Sequence, residues 1–338
     1  MEAESWWMYR GDARPAAPEE RAPWPPPPPW RSFDGEPVQP APPDEDPPGI
    51  RHLGAGDGPV AGPDLDAAGL AVVNAAVCLR RPLLVTGPPG TGKSGLARRI
   101  SRELGLGPVL SWWITSRTTV REGLYEQDAV GRICAGAAGR TEVGAGEFIR
   151  LGPLGTALLA YERPRVLLVE GLDRSDVALV DELHGVLDQG GFAVPELRGT
   201  ASATVGTADE HGPGAEVVRG RVRCLQFPVV VITAEDESSL SPAFVGECLT
   251  LRLSGPPSPE RLAASWLPSD AVERGERAAL AVLEGMEPGQ VPTAGALRDA
   301  MWLGVIRDRA GGQRPEGEYP GQAALDALWR RGRGGRSE

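Results

Sequence analysis

Apolar residues recur along this chain in two alternating patterns: short unbroken runs, and longer stretches with a helical period. Over 65–80, Leu70, Val73, Ala76 and Val77 fall on one side of a predicted helix. Pro82-Leu83-Leu84-Val85-Thr86 reads as a short buried strand, and 92–104 as a helix with Leu96, Ile100 and Leu104 on one face. A second strand is predicted over 108–115 and a short helix over 118–127. The Gly- and Ala-rich stretch 128–147 has no clear period and reads as a hairpin or loop insertion. A helix follows over 153–161. Arg165-Val166-Leu167-Leu168-Val169 is then apolar in the way a central parallel strand should be.

Ser175 or Asp176 caps the next predicted helix, which turns Val177, Val180, Leu183 and Leu187 toward the core and stops at Gly190-Gly191. Residues 192–223 alternate in short runs between turn residues, the pattern of a protruding β-hairpin. Buried strands follow over 227–233 and 248–253, and Ser254-Gly255-Pro256-Pro257 breaks the pattern. From 256 to 329 it is helical. Strands alternating with helices predict an α/β fold, a parallel αβα sandwich over 61–255 with a small C-terminal helical lid over 256–329.

The chemistry of the chain is concentrated in one octapeptide. Gly87-Pro88-Pro89-Gly90-Thr91-Gly92-Lys93-Ser94 fits G-x-x-x-x-G-K-[ST], the phosphate-cradling loop. Glycines let backbone N–H groups turn toward phosphate oxygens without a Cβ clash. Lys93 reaches the β- and γ-phosphates, the Ser94 hydroxyl can ligate Mg²⁺, and the helix behind adds its positive end. Strand, loop and helix occur in the order the motif requires, which predicts a P-loop NTPase core.

Composition narrows the partners. The chain has 338 residues and a formal net charge of -11. No basic surface dominates, so nucleic acid is disfavoured as a ligand. Cys78, Cys134, Cys224 and Cys248 are scattered without a C-x-x-C pair, as are His52, His184 and His211. A zinc site is not expected, and reduced thiols in a cytoplasmic protein are. No apolar run approaches the roughly 18 residues that span a bilayer, and Glu2, Glu4 and two tryptophans do not make a signal peptide.

Residues 1–60 stand apart as a Pro- and Trp-rich arm. It holds Trp24-Pro25-Pro26-Pro27-Pro28-Pro29-Trp30 and the acidic Pro42-Pro43-Asp44-Glu45-Asp46-Pro47-Pro48. Such a stretch forms no packed core and is expected to be largely disordered, extended or polyproline II. Trp6, Trp7, Trp24 and Trp30 suit a docking arm, on a partner or on the protein's own body. The basic tail 330–338 reads as a disordered, solvated end.

The order of these elements resembles an AAA+ ATPase, of the MoxR-like, dynein-related branch, over residues 65–310. The resemblance rests on G-P-P-G-T-G-K-S (87–94), I-T-S-R-T-T (114–119), G-L-Y-E-Q-D-A-V-G-R (123–132), R-V-L-L-V-E-G-L-D-R-S-D (165–176), V-V-V-I-T-A-E (229–235) and S-P-A-F-V-G-E-C-L-T-L (241–251). It implies hairpin insertions, which suit 128–147 and 192–223. It also implies ATP and Mg²⁺ as cofactors, an oligomeric ring with nucleotide at subunit interfaces, chaperone-like action on a partner protein, and at times a von Willebrand A-type companion.

The chain departs from that family where hydrolysis is performed. The family places Asp-Glu after the third strand, the Asp orienting the Mg²⁺ shell and the Glu polarising water. Here Glu170-Gly171 stands there, which keeps a carboxylate for Mg²⁺ and loses the base; Asp173 is the nearby substitute. The polar sensor, usually Asn, is replaced by Glu235, with Thr233 as a substitute. The arginine-finger position reads Gly246-Glu247-Cys248, with Arg252 nearby, and the lid has Arg298 a turn after its usual sensor position. A missing base lowers rate by about 10²–10⁴ and a missing finger by about 10³–10⁵, so binding should outlast turnover.

The resulting reading is an ATP-binding switch or scaffold with weak or no hydrolysis. It would act on a partner protein or as the inert member of a mixed ring with an active paralogue. The alternative is an active remodelling ATPase using Asp173, Thr233 and Arg252. A small-molecule kinase with the same loop fits the paired insertions and the long final domain poorly.

Overall fold

The computed structural model describes residues 6–12, 14, 23–42, 62–138, 144–209, 212–255, 257–268, 271–284 and 293–309. The basic tail, the end of the predicted lid and the acidic proline stretch from Pro43 onward lie outside these residues.

Helix α1 (Ala67–Leu79) begins where Asp66 accepts the Gly69 N–H at 2.8 Å. It leads to strand β1 (Leu83–Thr86) and helix α2 (Lys93–Leu104), which stops at Gly105 in a left-handed conformation. Strand β2 (Leu110–Trp113) follows. The stretch predicted as one short helix divides into α3 (Val120–Leu124), closed by a Thr119/Glu122 capping box, and strand β3 (Tyr125–Gln127).

The expectation of a hairpin or loop over 128–147 is corrected. Helix α4 (Ala129–Ala137), capped by Asp128, lies between β3 and its antiparallel partner β4 (Ile149–Leu151). Ala135 is the one buried residue of α4, so the helix carries no apolar period for the sequence to reveal. Helix α5 (Pro153–Ala157) is shorter than predicted. Strand β5 (Val166–Glu170) is followed by helix α6 (Val177–Gln189), whose N-cap is Asp176. Val180, Leu183 and Leu187 are buried, but Val177, predicted to face the core, is 68% exposed because it opens the first turn.

The single hairpin predicted over 192–223 is four strands, β6 (Gly191–Ala193), β7 (Ser202–Val205), β8 (Ala215–Val218) and β9 (Arg221–Arg223), in the order β6-β9-β8-β7. Strand β10 (Val229–Ala234), helix α7 (Pro242–Glu247) and strand β11 (Leu249–Arg252) complete the α/β unit. Helices α8 (Pro259–Trp266), α9 (Val272–Glu284) and α10 (Ala294–Arg309) pack on one another around Leu262, Leu297, Met301 and Val305.

The main sheet runs β11-β1-β10-β5-β2, all parallel. Strands β1 and β10 are buried along their whole length, whereas the edge strand β2 alternates buried and exposed positions. Successive residues point to opposite faces. Leu83, Val85, Val166 and Leu168 meet α1 and α2 on one side, and Leu84, Leu167 and Val169 meet α6 and the inserted strands on the other. Chain order puts β1 inside the sheet, between β11 and β10, and β2 at the far edge, which opens a crevice at the C-terminal ends of the strands.

The described part of the arm is extended, apart from one 3-10 turn over Pro29–Arg31, and is seated on the body. Buried Asn74 on α1 accepts the N–H groups of Met8 and Tyr9 and donates to the Tyr9 carbonyl. Glu103 on α2 accepts from Arg10 and Gly11, and Arg99 donates to the carbonyls of Gly11 and Pro63. Tyr9 itself is fully buried. Further along, Gln39 accepts the Glu216 N–H at 3.0 Å and donates to the Glu216 carbonyl at 3.0 Å, fixing the arm to β8.

A buried ion pair ties the inserted sheet to the core. Arg165, 0% exposed, meets Asp209 through two bonds of 2.8 and 2.7 Å. Replacing Asp209 by Ala leaves that guanidinium buried without its counter-charge and should lower unfolding free energy by about 3–5 kcal/mol, read from urea denaturation. The thiols offer a second check. All four cysteines are free; burial pushes Cys224 and Cys248 up to about 12, while Cys134 is exposed. An alkylating reagent near neutral pH should label Cys134 in the folded protein and reach Cys224 and Cys248 only after unfolding.

Candidate functional site

The phosphate-type loop leaves the C-terminal end of β1 in the crevice. Gly87, Gly90 and Gly92 all have positive φ (139°, 81° and 88°), a backbone path that side-chain-bearing residues rarely follow. A Cβ on Gly87 would run into the Leu253 carbonyl, and one on Gly90 into Thr293 of the helical domain. Pro88 and Pro89 are exposed, while buried Thr91 closes the turn by donating to the Pro88 carbonyl at 3.0 Å.

Lys93 and Ser94 open α2, so the first N–H groups of the helix point toward the loop. The Lys93 ammonium donates to the carbonyls of Gly87 (2.5 Å) and Pro88 (2.8 Å). Burial pushes its pKa down, and the carboxylates of Glu235 and Asp173 oppose that shift. A phosphate group would give this ammonium an anionic partner in place of two neutral carbonyls, a stronger type of bond.

Ser94 Oγ donates to Glu170 Oε2 at 2.7 Å, joining the helix start to the end of β5. Arg98, one turn along α2, lies 3.9 Å from the other carboxylate oxygen. The paired oxygens of Ser94 and Glu170 are hard donors that suit Mg²⁺, an ion held by one or two protein oxygens together with substrate phosphates. Among the described residues no cluster of three or more His, Cys, Asp or Glu could hold a metal by itself; nucleotide phosphates and waters would complete an octahedral Mg²⁺ shell.

After Glu170 the chain turns through Gly171 at φ 75°, ψ 47°. Its N–H donates to both the carbonyl and the hydroxyl of Thr233, each at 3.0 Å. Thr233 is thereby engaged in fixing this turn. Asp173 Oδ2 accepts the Glu235 N–H at 3.1 Å, and its Oδ1 is buried without a hydrogen-bond partner among the described residues. Glu235 lies 4.0 Å from Arg174, whose guanidinium stands 5.8 Å from the ring centre of Trp113, 61% exposed.

Glu170, Asp173, Thr233 and Glu235 therefore meet at one edge, with Lys93 and Ser94. Arg252 lies apart. It is exposed at the end of β11, opposite Thr86 in register, and lines a cleft of about 150 Å³ with Glu235, Asp236, Glu237 and Thr250. Arg298 turns to its own domain, 5.3 Å from the Trp266 ring and 3.6 Å from Asp299.

Two features escaped the sequence. Arg81, just before β1, donates to the carbonyls of Gly246 and Glu247, so an arginine from elsewhere sits at that corner. The helical domain also touches the loop directly, because the Ala294 N–H donates to the Gly90 carbonyl at 3.0 Å. Asp64 holds the same domain through Ser258 N–H (3.0 Å) and Arg261 (2.8 Å). Neither contact follows from local pattern, since each joins segments far apart in the chain.

An interior strand, a glycine loop, a helix bearing Lys93-Ser94 and a carboxylate at the end of β5, one strand beyond β10, define a P-loop nucleotide-binding fold. Residues 82–245 match the family model described as AAA domain (dynein-related subfamily). No curated protein matches the chain.

Among solved structures it is similar to NtrX from Brucella abortus in complex with ATP, 14% identical, with 76% of this chain and 54% of that chain covered and a TM-score of 0.39. A RuvB point mutant from Thermotoga maritima is 15% identical over 80% of this chain and 76% of that chain, with a TM-score of 0.32. The chain spans about half the length of the NtrX chain. No helix among the described residues is long and apolar enough to cross a membrane.

The left-handed turn at Gly171 makes a direct prediction. Gly171→Ala places a Cβ in a conformation that costs about 1–2 kcal/mol, and urea denaturation should show a loss of that size. Gly171→Glu should carry the same penalty.

Proposed function

We propose that this chain is an ATP-binding AAA+ module of MoxR-like type, a nucleotide-dependent switch or scaffold with weak or no hydrolysis. One observation carries this reading. The residue after Glu170 is a glycine held in a left-handed turn by Thr233, so no side chain stands there to polarise water. The loop beside it keeps every group used for binding: three glycines at positive φ, Lys93, Ser94 and the carboxylate of Glu170.

ATP would lay its phosphates on the loop and the start of α2. Lys93 would exchange its carbonyl partners for phosphate oxygens, and Mg²⁺ would join Ser94 and Glu170 to the nucleotide. The Gly90–Ala294 contact gives the helical domain a direct means of responding, since any shift of the loop moves that bond. Neighbouring copies, an active paralogue or a von Willebrand A-type protein would read the response as partners.

A second reading, an active remodelling ATPase, draws on Asp173. Its Oδ1 has no hydrogen-bond partner among the described residues and so has capacity to orient a water.

Two measurements on the purified protein separate the readings. Mg·ATP at about 100 times its Kd should stabilise the fold by about 2.7 kcal/mol, seen as a raised melting temperature, and Lys93→Ala should lose that shift. Steady-state phosphate release should equal that of Lys93→Ala. Turnover well above this blank, abolished by Asp173→Asn, would replace the switch with the active enzyme. Absence of any nucleotide-dependent stabilisation would end both readings.

A further inference from the structure

We propose that arm residues 8–11 form a strap that keeps the helical domain closed over the phosphate-type loop and so slows the release of a bound nucleotide. This rests on the reading of that loop as a nucleotide site and adds to it a control by the arm.

The strap is held through its backbone. Asn74 on α1 accepts the N–H of Met8 at 2.8 Å and that of Tyr9 at 2.9 Å, and donates to the Tyr9 carbonyl at 2.8 Å. Glu103 on α2 accepts the next two N–H groups, of Arg10 and Gly11. Gly11 turns at φ 77°, a left-handed path open to glycine, and its carbonyl accepts from Arg99. Three side chains of the body thus fix four consecutive residues, and the Tyr9 side chain is fully buried in the α1–α2 core.

The same arginine carries the contact onward. Arg99 is buried, and its other terminal nitrogen donates to the Pro63 carbonyl at 2.6 Å. One planar guanidinium therefore sets the strap relative to the segment before α1. Asp64, the next residue, reaches the helical domain. One of its carboxylate oxygens accepts the Ser258 N–H at 3.0 Å, and the other meets Arg261 Nε at 2.8 Å. Ser258 is the N-cap of α8 and Arg261 lies in its first turn, so Asp64 grips the start of the domain's first helix. Arg261 is also close to the strap: burial raises the pKa of the Tyr9 phenol, and the charges of Arg99, Glu103 and Arg261 all act on it.

The loop lies within this circuit. A Cβ on Gly92 would meet both Pro63 and Pro257, and the Gly90 carbonyl accepts the N–H of Ala294, the first residue of α10. The helical domain therefore rests on the loop at two glycines and is held there by Asp64. A nucleotide lying on the loop leaves when that domain moves away, so each contact that must break first slows release. Strap, Arg99, Pro63–Asp64 and α8 form one contiguous set of bonds, and loosening the arm loosens the grip at Asp64.

Hydrogen exchange on the full chain without nucleotide tests the strap by itself. Asp64→Ala should speed exchange at the Ser258 and Ala294 N–H groups by about tenfold, and Tyr9→Ala should speed both as well. Tyr9→Phe keeps the ring and should exchange as the wild type does, since the phenol oxygen has no hydrogen-bond partner among the described residues. If Tyr9→Ala does not fold, Glu103→Gln, equal in length and without the charge, carries the same expectation. Release of a fluorescent ATP analogue, followed by stopped flow, should be about tenfold faster in Asp64→Ala and faster in the strap variant. The double variant should be no faster than Asp64→Ala alone, because both changes act through one grip. Unchanged exchange at Ala294 in both variants, or effects on release that multiply in the double variant, would overturn the proposal. A chain that binds no ATP analogue would remove the nucleotide reading. A chain that binds it, and releases it at the wild-type rate in both variants, would overturn the strap alone.

Discussion

The placement of helix α2 is the constraint on which the site depends. Its 12 residues begin at the phosphate-type loop and end at Gly105, and both ends are fixed by groups from elsewhere in the chain. At the front, Ser94 is bonded to Glu170 on β5, and Lys93 folds back on the loop carbonyls. Behind, the buried guanidinium of Arg99 joins the arm at Gly11 to the segment before α1 at Pro63, while Glu103 takes two N–H groups of the arm. Those partners lie more than thirty residues away in sequence, some of them more than ninety. A buried charge without partners is strongly destabilising, so the arm and the segment before α1 are integral to the unit that presents the loop.

The turn at Gly171 shows how function and fold compete for the same atoms. Its left-handed backbone aims the N–H at Thr233, which uses both its oxygens to hold the turn. The arrangement fixes Glu170 beside Ser94 and brings Asp173 under the Glu235 backbone. The same arrangement leaves no side chain at 171. Binding groups and the missing base therefore share one physical origin, a turn that glycine alone adopts without strain. Around it the charges alternate, from Lys93 through Glu235 to Arg174, so the edge is polar without being strongly anionic despite the acidity of the chain.

The arm gives the tryptophans distinct roles. Trp7 and Trp24 pack on the α1–α2 side of the core, and Trp24 joins that packing to Arg80 and Arg163. Trp6 and Trp30 face outward. Composition treats the four alike, because each is an aromatic residue in a proline-rich stretch. For Trp24 the seat is made by the arginines at the end of α1 and before β5, which provide cationic surfaces to which an indole ring is attracted.

The sequence by itself determined the elements whose periodicity and chemistry are local: the apolar runs of β1, β5 and β10, the faces of α1, α2 and α6, the phosphate-type loop and the parallel α/β class. A fully buried strand has to be apolar throughout, and a glycine loop has to bear glycine, so both are written in consecutive residues. Helix α4 was not legible, since a helix with one buried residue needs no apolar stripe. The four-stranded inserted sheet, the seat of the arm, the exposure of Val177 and the contact between Gly90 and Ala294 were decided only by tertiary structure. Each depends on which distant group arrives opposite a given residue, and local sequence carries no record of that meeting.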